Sequence, residues 1–117
     1  MKEQIPGALG SAIDALQRGM GLSDDELADA LGTSQRTLQR WRGGAVHPRQ
    51  LARQRLTDLL GLQERVRETF ADPEAVRHWL HSESRYLGGI TPAEAIRAGR
   101  LDRAETTLEA LDSGVFL

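Results

Sequence analysis

Arginine and glutamine recur at helical spacing in one short stretch of the chain: Gln35, Arg36, Gln39, Arg40 and Arg42, followed by Arg49 and Arg53. Arginine can offer two parallel N–H donors to guanine O6 and N7, and glutamine a donor and an acceptor to adenine N6 and N7, so these types on one exposed helix face can read base edges. Helical geometry turns Arg36, Gln39, Arg40 and Gly43 away from the face made by Leu38 and Trp41, and leaves Gln35 at its edge. The expected contacts are therefore Gln35, Arg36 and Gln39 to base edges. Thr33, Ser34, Arg40 and Arg42 are expected at phosphates, with Arg49 and Arg53 flanking. The same outward residues would also suit a protein-binding surface or a plain solvent face.

Charge along the chain supports a nucleic-acid face. The 117 residues carry a formal net charge of −2. Residues 33–67 hold eight arginines against two acids, a net +6; residues 1–32 hold two bases against six acids and residues 68–117 five against nine, −4 each. A basic middle between acidic ends gives one locally electropositive surface. Fourteen arginines and one lysine can reflect codon usage, so the clustering, rather than the count, is the signal.

These side chains need helices to position them, and no segment alternates like a strand. Leu9, Ala12, Ile13 and Leu16 predict a first helix over about 8–18, ended by Gly19 and Gly21. Ser23 with Glu26 three residues on is a capping box, and Asp24 and Asp25 suit the positive end of the helix that follows. Gly32 supplies a turn, and the next helix runs from Gln35 to Arg42, ended by Gly43-Gly44. The small Ala28 lets these two helices approach, so residues 22–44 read as a helix-turn-helix. A long helical stretch follows Pro48, with Gly61 expected to kink or divide it and to mark the domain boundary, 1–61 against 62–117. Asp72-Pro73, then Thr91-Pro92 with Glu94, start further helices, and a last one covers about 102–112 with Gly114 as its cap.

Residues 22–44 resemble the Xre/Cro-type helix-turn-helix, similar to phage repressors. That family often has a glutamine touching phosphate near the start of its first motif helix. Here Asp24 and Asp25 stand there, and acids would repel a phosphate.

The C-terminal half carries Trp79-Leu80, then Leu87-Gly88-Gly89-Ile90-Thr91-Pro92, then Ile96 and Gly99, and finally Leu108-Glu109-Ala110-Leu111-Asp112-Ser113-Gly114-Val115. This order resembles the toxin-binding domain of Xre/MbcA/ParS antitoxins. The resemblance implies a RES-domain toxin partner that consumes or transfers from NAD, held inactive by the antitoxin's extreme C-terminus at its cofactor pocket, together with repression of the antitoxin's own operon. On this chain it puts Gly114, Val115, Phe116 and Leu117 at the blocked pocket. A short apolar tail ending in a carboxylate is a reasonable anchor for a concave site. The alternative is that Val115-Phe116-Leu117 packs on this protein's own core. Trp79 and Leu80 read as core rather than contact.

Other chemistry finds little support. His78 and His81 are three apart on a helix, without a third ligand nearby in sequence; Asp72 and Glu74 belong to a helix start; cysteine is absent. No enzyme, metal or cofactor is expected. No apolar run is long enough for a membrane span and residues 1–7 lack a signal-peptide core, so the expectation is a cytoplasmic protein without a membrane partner. The fold expected is all-α: a helix-turn-helix bundle followed by a small helical toxin-binding domain. One recognition helix covers little surface, so a homodimer or larger complex on operator DNA is expected. One rival is a solitary regulator whose C-terminal half only dimerises. Another is a pure inhibitor whose helix-turn-helix is structural.

Overall fold

A computed structural model describes residues 6–113 of the chain, with side chains from Leu9 onward, and every regular element among them is helical. In order these are α1 (Pro6–Met20), α2 (Asp24–Leu31), α3 (Gln35–Arg42), α4 (Gln50–Thr69), α5 (Pro73–Leu80), a 3₁₀ turn (Arg85–Leu87), α6 (Pro92–Arg97) and α7 (Leu101–Ser113). Gly114, Val115, Phe116 and Leu117, expected at the toxin, lie outside the described residues, as does the cap expected at Gly114.

The starts follow the local chemistry. At α2 the Ser23 hydroxyl accepts from the Glu26 N–H at 3.1 Å, and the Ser23 N–H donates to Glu26 Oε1 at 3.0 Å. Thr91 and Glu94 repeat this box at α6, at 3.0 and 2.8 Å. Asp72 caps α5, with Pro73 in the first turn. Gly32 ends α2 at φ 73°, the left-handed conformation that the absence of a Cβ permits.

Two glycines behave differently from expectation. Gly19 does not end α1, which continues to Met20. It is a point of close approach, since a Cβ there would collide with the Gln63 amide, whose Nε2 donates to the Ala15 carbonyl at 3.0 Å. Gly61 does not divide α4, which runs unbroken for 20 residues. A glycine costs about 1 kcal/mol inside a helix. Leu59, Leu62 and Val66 are buried along the same helix at 1, 0 and 0% exposure, and each contributes on the order of 1.5–3 kcal/mol, which outweighs it.

The continuous α4 packs on α1, α2 and α7, while α2 also meets α6 and α1 meets α5. A single hydrophobic cluster results, from Ile13, Leu16 and Leu31 through Leu38, Trp41 and Leu62 to Leu80, Ile96 and Leu108. Trp79 and Leu80 belong to it. The Trp79 ring lies 5.8 Å from that of Phe70, and its indole N–H donates to the buried Thr107 hydroxyl at 3.2 Å. Thr107 in turn donates to the Ala104 carbonyl at 2.8 Å, so the Trp79 indole and the Thr107 hydroxyl are both satisfied.

Candidate nucleic-acid interface

Helices α2 and α3 are joined by Gly32-Thr33-Ser34. The Thr33 N–H returns to the Ala28 carbonyl at 2.9 Å, and Ala28 is buried. Ser34 caps α3, accepting from the Thr37 N–H at 3.1 Å, so its hydroxyl is engaged within the fold. Leu38 and Trp41, 0 and 5% exposed, fasten the underside of α3. Gln35, Arg36, Gln39 and Arg40 are left exposed on the outside.

The acids at the start of α2 reach this outer face. Gln35 Nε2 donates to Asp25 Oδ1 at 3.2 Å, and Gln39 Nε2 donates to Asp24 Oδ2 at 3.1 Å. Arg42 is turned inward: its Nε meets Asp14 Oδ1 at 3.1 Å and its Nη2 meets Asp24 Oδ1 at 3.2 Å, with the side chain only 19% exposed. Gln17 adds a 2.8 Å bond to Asp24. The hydrogen bond from Gln17, then the charge and hydrogen bond of Arg42 and the bond from Gln39, hold the Asp24 carboxyl below its ordinary value against the opposing effect of burial.

The nine residues expected at DNA thus separate into groups. Gln35, Gln39 and Arg42 are engaged with carboxylates, and Ser34 with the helix start. Arg36, Arg40, Arg49 and Arg53 are exposed and enter no ion pair among the described residues. Thr33 and Arg49 line one cleft of about 360 Å³ together with Thr37 and Arg55, while Arg53 lines another beside His47 and Pro48.

Sequence reasoning missed what holds α2 from behind. Arg97 of α6 donates from Nε to Asp29 Oδ2 at 2.9 Å, and its Nη2 lies 2.7 Å from Asp29 Oδ2 and 3.2 Å from Asp25 Oδ2. The bond with Asp29, then the charges of Asp29, Asp25 and Glu26, raise the Arg97 pKa further. His81, which follows α5, places Nε2 3.0 Å from Glu26 Oε2. Burial pushes the Glu26 carboxyl up, but the Ser23 N–H and His81 outweigh it and leave the value lowered. These pairs span 55 to 72 residues, and no periodicity in the sequence marks them. The one available signal was the run Asp24-Asp25-Glu26 with Asp29, more acid than a helix start needs.

In the C-terminal half, Gly88 and Gly89 take φ of 74 and 97°, closing a tight loop in which the Ser84 N–H donates to the Ile90 carbonyl at 3.0 Å. Leu111, on the last helix, lines an apolar cleft of about 400 Å³ with Phe70, Trp79 and Pro92. Among the described residues no cluster of histidine, aspartate and glutamate could hold a metal ion, and no helix is long and apolar enough to cross a membrane.

Residues 2–58 match the antitoxin Xre-like helix-turn-helix domain, and residues 65–114 match the antitoxin Xre/MbcA/ParS C-terminal toxin-binding domain. The mycobacterial cidal antitoxin MbcA of Mycobacterium tuberculosis is 30% identical over 109 residues, covering 93% of this chain and 96% of that protein. A probable mycobacterial cidal antitoxin of the same organism is 26% identical over 90% of this chain and 88% of its own length. A chain in the crystal structure of the M. tuberculosis MbcT–MbcA toxin–antitoxin complex superposes with a TM-score of 0.72 at 29% identity, covering 93% of this chain and 97% of that one.

Proposed function

The chain belongs to the Xre/MbcA/ParS family of antitoxins, and on that premise we propose that it binds and silences a RES-domain, NAD-consuming toxin while repressing its own operon. The toxin-binding reading is carried by one observation: the match to the toxin-binding domain spans 65–114 and so takes in α5, the glycine loop, α6 and α7. Inhibition follows if Gly114, Val115, Phe116 and Leu117 enter the toxin's cofactor pocket, where an apolar tail with a terminal carboxylate would displace substrate. DNA binding falls to the helix-turn-helix, with residues 1–61 as its domain and 62–117 as the toxin's. Its support is the exposed Arg36, Arg40, Arg49 and Arg53 in the basic middle of the chain. A homodimer would present two such helices to successive major grooves.

A growth test separates these parts. The neighbouring reading frame is expressed in a bacterial host alone, with the intact chain, and with a chain lacking Gly114–Leu117. The proposal expects toxicity, relief by the intact chain, and no relief by the shortened one. Relief by both would remove the tail mechanism and keep the antitoxin. A harmless neighbour would favour a solitary regulator whose C-terminal half serves dimerisation.

A further inference from the structure

We infer that Asp24 and Asp25 set what the recognition helix can read: they hold Gln35 and Gln39 away from base edges and leave discrimination to Arg36. This rests on the DNA-binding reading above. A glutamine recognises adenine with both ends of its amide, so the Nε2 of Gln35 or Gln39 must leave its carboxylate to do so. Hydrogen bonds to an ionised acceptor are stronger than neutral ones, and the base offers only a neutral acceptor in exchange.

The carboxylates are themselves fixed. Asp24 Oδ1 also receives Gln17 at 2.8 Å and Arg42 at 3.2 Å, so turning Asp24 aside would strip partners from both. The second oxygen of Asp25 faces Arg97 at 3.2 Å, and Arg97 is tied to Asp29 as well. Arg97 projects from α6, whose Ala93 and Ile96 are buried, so the anchor stands on a packed helix. The brace on the reading helix is therefore held in place from the half of the chain that matches the toxin-binding domain. Arg36, one position along from Gln35, has no such partner among the described residues and can reach a guanine bidentately.

The test measures binding of the full chain to a duplex from the region upstream of its own reading frame, and to a scrambled duplex of equal length. Gln35→Ala and Gln39→Ala should each change operator affinity less than about two-fold, whereas Arg36→Ala should lower it roughly ten-fold or more, the cost of one good base contact. In an Asp24→Ala/Asp25→Ala background the same glutamine changes should become costly, by about ten-fold, because the amides are then free to read. Circular dichroism on each variant checks that the helices persist. A loss from Gln39→Ala in the native background as large as that from Arg36→Ala would overturn the inference. If the native chain fails to bind and the double variant binds the operator selectively, the acids block reading altogether and the assignment of discrimination to Arg36 is overturned. If neither binds either duplex, the DNA-binding reading itself fails and the inference falls with it.

Discussion

The two halves of the molecule are built from the same parts and offer different surfaces. Each sinks one tryptophan beneath its exposed face, Trp41 at 5% and Trp79 at 9% exposure. Each opens a helix with a reciprocal box, Ser23–Glu26 and Thr91–Glu94. The indoles differ, however. Trp79 is tethered to Thr107, while Trp41 has no side-chain hydrogen bond among the described residues. The surfaces differ more: one half gathers Arg36, Arg40, Arg49 and Arg53, exposed and without an ion pair among the described residues, and the other has an apolar cleft with a glycine loop. A shared construction with divergent surfaces teaches that function here resides in a few outward side chains rather than in the helical scaffold.

The largest expected effect tests whether the halves are one folding unit. Trp41→Ala and Trp79→Ala should each cost about 3–5 kcal/mol, the usual penalty for emptying a large aromatic from a core. Because one hydrophobic cluster spans both halves, each variant should shift a single urea transition as a whole. Two separable transitions, one per half, would break that account. A milder pair sharpens it: Trp79→Phe should cost about 1 kcal/mol more than Trp41→Phe, since only the former removes a hydrogen bond to a buried hydroxyl.

The fold was largely legible because its signals are local. Ser23 with Glu26, Thr91 with Glu94, and Asp72 with Pro73 mark helix starts whose partners lie within three residues. The recognition helix appeared with the expected bounds because Gln35 follows a cap and Gly43 follows the last turn. Gly19 and Gly61 were misread because their role depends on distant neighbours, the Gln63 amide in one case and the buried stripe of α4 in the other. The candidate site was legible only by residue type. Which of its side chains stand free is decided by Asp14, Gln17 and Arg97, and nothing in the spacing of those residues points at α3.

Next in size come the caps. Ser23→Ala and Thr91→Ala should each cost about 1 kcal/mol in the same denaturation measurement. The N-terminal change should be the larger, because Ser23 also orients Glu26 toward His81, whereas Glu94 has no partner outside its box among the described residues. Equal losses would show that the Glu26–His81 pair adds nothing to the contact between halves. A larger loss at Thr91 would show that the six-residue α6 depends on its cap more than the eight-residue α2 does.

The smallest expected effect is in the response to acid, and it again separates the halves. In α2 both Asp24 and Glu26 are held below their usual values of 3.8 and 4.5. In the unfolded chain these groups take up protons at the usual values, while the folded chain resists until the pH is lower, so below about pH 4.5 the unfolded state binds more protons. Their stabilisation is therefore present above that pH and is lost as pH falls through the lowered values. Asp102 in the C-terminal half is also lowered, by its hydrogen bond from Arg100, but its side chain is 69% exposed and solvent screens the pair. Urea titrations at pH 7 and pH 3.5 should show that Glu26→Gln flattens the acid loss while Asp102→Asn leaves it nearly unchanged. At 13% exposure the contacts that hold Glu26 ionised, from the Ser23 N–H and His81, are less screened by solvent than the Arg100–Asp102 pair. Equal flattening by both variants would mean that the contact between α2 and His81 is as screened as a surface pair, and that the polar link between the halves falls to Arg97 with Asp25 and Asp29.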